Sequence, residues 1–158
     1  MGRIVAVEEL VRLRKKFKRE NKKVVFTNGC FDILHRGHVE YLMKAKTLGD
    51  VLVVGINSDI SVKKIKGEKR PIVNLEDRAF ILSSLSPVDY VCPFDEDDPL
   101  NLITAVVPDV LVKGADWKED EIIGRDIVER AGGKVAIIRF TPDRSTSSVI
   151  KTILERFK

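Results

Sequence analysis

Histidine is scarce in this 158-residue chain, which has two, and it carries only two cysteines and one tryptophan. Two cysteines in separate segments, Cys30 and Cys92, cannot build a disulfide framework, and they read as reduced, mostly buried thiols. No apolar run approaches the ~20 residues that a bilayer-spanning helix needs. The N-terminus also lacks the apolar region of a secretory signal. Together these absences lead to the expectation of a soluble, cytoplasmic protein. No triad-like constellation for nucleophilic catalysis stands out, and no acidic pair has clear metal-ligand spacing. Internal repeats, low-complexity tracts and linkers are lacking too.

What is present is the composition of one globular domain, 44% hydrophobic and 33% charged, over residues 1–158. Much of the +4 net charge sits in "RLRKKFKRENKK" at 12–23. Val7, Leu10, Val11 and Phe17 recur beneath it at helical spacing. Residues 1–22 therefore read as a basic N-terminal helix with a solvated face, followed by the core of the domain over 23–158. No aromatic stacking platform accompanies the charge, so a nucleic-acid partner is not expected.

Short β-branched runs alternate with longer amphipathic segments. The strand candidates are "KVVFT" (23–27), "VLVVGIN" (51–57), "DYVCPF" (89–94), "DVLVKG" (109–114) and "KVAIIRF" (134–140). Their nearly continuous apolar character suits strands covered on both faces. Helical patterns fall at 39–49, 74–85 with Asn74 as N-cap, 97–107, 119–133 and 145–157. The alternation predicts an α/β fold, a single-domain Rossmann-like doubly wound sheet of about five parallel strands with helices on both faces. Ligands bind such sheets beyond the carboxyl ends of the strands. That rim comprises 28–38, 58–70, 113–118 and 141–148.

The first rim segment, "TNGCFDILHRGH" (27–38), holds both histidines. Gly37 and His38 lie near a helix start, whose free N–H groups and partial positive charge favour phosphate. His35 and His38 would add donors able to follow charge developing on phosphoryl oxygens. Two other readings stay open: a partial metal site of the form Cys30-x4-His35-x2-His38, and simple packing or capping.

"GCFDILHRGH" resembles the HxGH signature of the nucleotidyltransferases with a Rossmann-like fold, which include the cytidylyltransferases and pantetheine-phosphate adenylyltransferases. "LGDVLVVGINSDISVKKIKG", "RPIVNLEDRAFILSSLSPVDYVCPFDEDDP", "PDVLVKGADW" and "AGGKVAIIRF…STSSVI" resemble the adenylyltransferase half of the bifunctional heptose kinase/adenylyltransferase. This likeness covers about residue 23 to the end. It implies transfer of AMP from ATP to D-glycero-D-manno-heptose 1-phosphate, giving ADP-heptose and pyrophosphate, a step toward lipopolysaccharide. Mg²⁺ would be carried by the triphosphate, and the protein would be a homodimer. With no sugar-kinase domain in this sequence, the chain resembles a stand-alone version of that half.

The resemblance also implies site residues. His35, His38 and Lys66 would be catalytic. Asn28, Gly29, Cys30, Phe31 and Gly37 would bind nucleotide, as would Lys113, Gly114, Asp116 and Trp117. Ser145, Thr146 and Ser147 would hold its phosphates at the last helix start. Asp32, Lys63 and Arg78 would meet the substrate phosphate. "SVKKIKGEKR" also reads as a plain solvated basic loop, Arg78 as an exposed helix residue paired with an acid, Trp117 as core, and Ser145 as a simple cap. Relatives often carry a glycine before the Ser-Thr pair, where this chain has Pro142, Asp143 and Arg144. A cytidylyltransferase using CTP and glycerol 3-phosphate or a similar small alcohol phosphate is the nearest rival, and a nucleotide-sensing module is the non-enzymatic one.

Overall fold

Three strands are each preceded by an aspartate, Asp50, Asp89 and Asp109, and each aspartate closes a two-point clamp on the neighbouring strand. In the computed structural model, which describes residues 1–115, 118–139 and 145–157, Lys23 N–H donates to the Asp50 carboxylate at 2.7 Å. In return, the Asp50 N–H donates to Lys23 O at 2.9 Å. Asp89 does the same with Leu52 (2.7 and 3.1 Å), and Asp109 with Val24 (2.7 and 2.9 Å). These clamps set the register of the sheet at its amino end, where first N–H groups would otherwise lack partners.

The strands are β1 (Arg3–Ile4), β2 (Val24–Gly29), β3 (Val51–Asn57), β4 (Tyr90–Phe94), β5 (Val110–Gly114) and β6 (Lys134–Ile138). All pair in parallel in the order β1-β4-β3-β2-β5-β6. The helices are α1 (Val7–Arg19), α2 (Arg36–Lys46), α3 (Asp59–Lys66), α4 (Leu75–Ser84), α5 (Leu100–Val106), α6 (Arg125–Arg130) and α7 (Thr146–Arg156).

Side chains alternate along each strand between two cores. Val24, Phe26, Val53 and Leu111 pack with Leu10 and Phe17 of α1, Ile103 of α5 and Val128 of α6. Val25, Leu52, Val54 and Val112 pack with Leu42 and Ala45 of α2 and Leu82 of α4 on the other face. That two-sided burial is why the strands are apolar at almost every position. From β2 the chain winds one way through β3 and β4, then returns to lay β5 and β6 on the other side. The direction reverses between β2 and β5, and the crevice at this switch point is where such a sheet takes its ligand.

The doubly wound sheet agrees with the sequence expectation, with differences at its margins. Among the described residues there are six strands, because Arg3–Ile4 adds to β4 within the segment expected to be wholly helical. Arg14 is not a solvated member of the basic run. It donates to the Val106 and Val107 carbonyls and pairs with Asp109 at 2.9 Å, which ties α1 to the end of α5. The expected 58–70 loop contains α3, nucleated by Ser58, whose hydroxyl accepts from Ser61 N–H. The single helix expected over 119–133 is broken. Gly124 adopts a left-handed φ of +85°, and a Cβ there would meet Ile103 at 2.8 Å, leaving a short 3₁₀ turn (Glu119–Glu121) before α6.

Asp109 serves both the strand clamp and the Arg14 pair. Asp109→Ala is expected to lower stability by about 1.5–3 kcal/mol in urea unfolding, since it deletes hydrogen bonds to a charged acceptor. An unchanged midpoint would show that the clamp contributes nothing.

Candidate active site

The turn after β2 is built around a residue in an uncommon conformation. Phe31 has φ +48°, is buried, and lies against His38 with ring centroids 5.3 Å apart. Gly29 makes room for it, because a Cβ there would meet the Phe31 ring at 3.0 Å. Left-handed backbone at a bulky residue is strained and persists only where the surroundings over-determine it. Phe31 is held between β2 and α2, and its ring forms part of the seat for His38.

His35 is the N-cap of α2, and the His38 N–H donates back to its carbonyl at 3.0 Å. Cap and third helical residue share one face, so the two imidazoles stack with centroids 3.9 Å apart and planes 29° apart. Both project at the amino end of a helix, where partial positive charge and free N–H groups converge. Burial, and then the neighbouring His35, push the His38 imidazolium down to about 4, so that ring is neutral near pH 7. Its Nδ1 is buried and meets no hydrogen-bond partner among the described residues. One turn along, Tyr41 bonds Thr27 Oγ1 at 2.7 Å and donates to Val112 O at 3.3 Å, which fixes α2 across β2 and β5.

These rings open into a cleft of about 570 Å³ at the switch point. From β2 and its turn, Asn28, Gly29, Cys30, Phe31 and Asp32 line it. The β5 end contributes Lys113 and Gly114, and the Lys113 ammonium donates to Asn28 Oδ1 across the crevice. Ser145, Thr146 and Ser147 line one wall from the start of α7. There Ser145 caps the helix reciprocally with Ser148, and Thr146 Oγ1 donates to Ile33 O at 3.3 Å. Lys66, the last residue of α3, lines the opposite wall. A second cavity of about 610 Å³ lies at the amino end of the strands, lined by Met1, Arg3, Phe17 and Tyr90 among others, away from the histidines.

Three expected site residues stand elsewhere. Arg78 is a buried structural cation and does not line the cleft. Its side chain is 0% exposed, and it donates to the carbonyls of Val73, Cys30 and Asn57 while pairing with Asp59 at 2.7 Å. Lys63 is exposed on the outer side of α3 and does not line the cleft. Gly37 is buried in the first turn of α2 and does not line the cleft. Asp116, Trp117 and Arg144 lie outside the described residues.

Asp32 has a different position from the one expected. Its carboxylate is buried and accepts from the N–H groups of Ile72 (2.9 Å) and Val73 (2.8 Å) and from Arg70 Nε. Burial alone would raise its pKa. The Val73 and Ile72 N–H groups and then Arg70 outweigh that and hold it below the usual carboxylate value. Its oxygens are engaged, so it anchors a loop and does not itself meet phosphate. Burial raises the Cys30 thiol despite the nearby positive charges of Lys66, Arg78 and Arg70, which makes it a poor nucleophile.

Sequence reasoning missed Asn57 and the pair Asp97 and Asp98, which also line the cleft, and placed Arg70 in the basic rim segment without singling it out. Asn57 was legible in principle as the polar end of the most apolar strand, directly before a helix cap. Arg70 had no local pattern to mark it among neighbouring lysines.

Residues 26–152 match the model of the cytidylyltransferase-like family. The chain belongs to the cytidylyltransferase-like family. Within it, the chain is 56% identical to a bifunctional protein HldE from Campylobacter concisus, over 96% of this chain and 31% of that protein. It is 54% identical to the bifunctional protein HldE of Geobacter sulfurreducens, over 89% of this chain and 29% of that one. The chain thus spans about three-tenths of the curated relatives it matches. A solved lipopolysaccharide core biosynthesis protein from Thermoplasma volcanium is 35% identical with a TM-score of 0.62, covering 76% of this chain and 97% of that one. A pantoate-beta-alanine ligase from Francisella tularensis, solved with beta-gamma ATP and beta-alanine, reaches a TM-score of 0.67 at 17% identity over 96% of this chain and 73% of that one, a likeness of fold alone. Family membership and the six-stranded parallel sheet agree on a nucleotidyltransferase-type Rossmann-like fold.

The burial of His38 has a measurable consequence. Between about 4 and the ordinary value of 6.5, the unfolded chain binds a proton that the folded one does not. That contribution to stability is complete above the ordinary value and is lost as pH falls toward 4, by at most about 3 kcal/mol. Urea midpoints measured across this window should fall for the native chain and fall less for His38→Asn. Parallel curves would contradict the assignment.

Proposed function

We propose that this chain is an adenylyltransferase that moves AMP from ATP to D-glycero-D-manno-heptose 1-phosphate, releasing ADP-heptose and pyrophosphate. The observation that carries this reading is the stacked His35–His38 pair at the start of α2, set between the α7 start on one wall and Lys66 on the other. Family membership supports nucleotidyl transfer. The identity to bifunctional HldE proteins and to a lipopolysaccharide core biosynthesis protein supports the heptose substrate.

The acceptor is already an ionised oxygen nucleophile, so no base and no covalent enzyme intermediate is needed. An acceptor phosphate oxygen attacks the α-phosphorus in line. The bond from that phosphorus to the bridging oxygen breaks, and its electron pair leaves with pyrophosphate. The α7 start holds the departing β- and γ-phosphates with backbone N–H groups and the hydroxyls of Ser145 and Ser147, while the Thr146 hydroxyl ties that wall to Ile33 O. The histidines donate to oxygens that gain charge, and Lys66 offsets charge on the acceptor side. Mg²⁺ travels with the triphosphate in this reading, which suits an ion bound through few protein ligands. Asp32, with its oxygens taken by Ile72, Val73 and Arg70, is not placed as a ligand. The reading includes a cytoplasmic homodimer. It is supported by the absence, among the described residues, of a helix long and apolar enough to cross a membrane, and by the exposed Ile153, Leu154 and Phe157 on or beside α7.

Incubation with ATP or CTP against a panel of phosphorylated acceptors tests the substrates. Pyrophosphate is expected with ATP and heptose 1-phosphate, and release only with CTP would overturn the adenylyl assignment. Nucleotide binding without turnover of any acceptor would favour a sensing module. His35→Ala and His38→Ala should each lower kcat about 10²- to 10³-fold. Unchanged turnover in both would refute the mechanism.

A further inference from the structure

A carboxylate at the edge of an anion-binding cleft is an electrostatic anomaly, since it repels what the cleft would bind. Asp32 lines the cleft, yet its side chain is 0% exposed. Every bond it accepts comes from one short stretch, residues 70–73: the Arg70 guanidinium through Nε, the Ile72 N–H and the Val73 N–H. The stretch begins just past Gly67, which ends α3 with φ +96°, and the Arg70 N–H turns back onto Gly67 O at 3.0 Å.

Arg70 also lines the cleft, with a side chain only 15% exposed. Its Nε is committed to Asp32, and among the described residues its two terminal nitrogens make no hydrogen bond. They are not buried orphans either, since neither is among the buried unsatisfied side-chain atoms of the described residues. A guanidinium held by Nε and open at both termini presents a rigid planar fork, the geometry that takes two phosphate oxygens at once.

Its wall gives the fork a specific task. Arg70 and Lys66 follow β3, on one side of central β2, whereas Ser145, Thr146 and Ser147 follow β6 on the other. In-line displacement places attacking and leaving groups on opposite sides of the phosphorus. With pyrophosphate leaving toward α7, the attacking phosphate arrives from the Arg70 side. We propose that Arg70 is the residue that grips the acceptor's phosphate as a bidentate cation, and that Asp32 is its positioning residue, acting through Arg70 without touching substrate. This rests on the adenylyltransferase reading for the identity of the acceptor, though the anion fork itself does not.

The test compares Arg70→Gln, Arg70→Lys, Asp32→Asn and the double variant Asp32→Asn/Arg70→Gln. Arg70→Gln is expected to raise the acceptor KM about 10- to 100-fold, the loss expected for hydrogen bonds to a charged group, while the ATP KM moves less than about twofold. Asp32→Asn should shift the same constant in the same direction. The double variant should be no worse than Arg70→Gln, because Asp32 has no other route to the substrate. Arg70→Lys should recover only part of the loss, since a point charge replaces a fork. Equal acceptor KM in Arg70→Gln, a rise confined to ATP, or additive losses in the double variant would each overturn the proposal. Should Asp32→Asn fail to fold, the Arg70 variants still decide the phosphate grip. A parallel titration with inorganic phosphate, followed by phosphorus NMR, reads the fork whatever the acceptor is. Weakening of at least tenfold in Arg70→Gln is expected, and equal affinity would refute the grip even if heptose 1-phosphate is the substrate. If another acceptor is turned over instead, the functional reading fails while the phosphate titration still reports on Arg70.

Discussion

The cleft depends on two adjacent residues of the β2–α2 turn, each of which holds one wall. Asp32 binds the 70–73 stretch through its carboxylate, and Ile33 accepts the Thr146 hydroxyl at 3.3 Å through its carbonyl. One wall comes from the β3 side of the sheet and the other from the β6 side, so neither has a local reason to face the other. Their separation is set by a turn whose own shape is fixed by left-handed Phe31 packed on His38. The turn that carries the histidines therefore also sets the distance between the groups that would hold the two phosphates. Positioning at this scale is what an in-line transfer without covalent catalysis depends on.

A second constraint lies directly beneath. Arg78 is a fully buried cation that donates to three carbonyls, those of Val73, Cys30 and Asn57, and pairs with Asp59. It joins the ends of β2 and β3, the start of α3 and the approach to α4 at one point. Buried charge is tolerated only when paired, and here three carbonyls and the Asp59 carboxylate supply the pairing. The arrangement rigidifies the floor of the cleft, and among the described residues Arg70 is the arginine that lines it.

Much of the site was legible in the sequence because its parts follow local rules. A helix start after an apolar strand, two histidines at cap and third position, and a Ser-Thr pair opening the last helix each define a short-range geometry. That geometry survives into the fold. The errors fell where local rules give two answers. "LEDRAFIL" does not reveal whether Arg78 points outward or into the sheet. "SVKKIKGEKR" reads as basic loop until Ser58 is seen to cap it, and then, of the helix's lysines, Lys66 at its end lines the cleft while Lys63 does not.

The sequence by itself determined the alternation of strands and helices, the two-sided burial of the sheet and the placing of phosphate-type residues on its carboxyl rim. Apolar periodicity and capping act within a few residues, so these features need no knowledge of what lies across the molecule. Tertiary structure alone decided the strand order that puts β2 beside β5, the burial of Arg78, and the engagement of Asp32 by a stretch forty residues away. Those outcomes depend on which charges lose water together and find partners. Partnership across the chain is a property of the folded arrangement, not of any window of sequence.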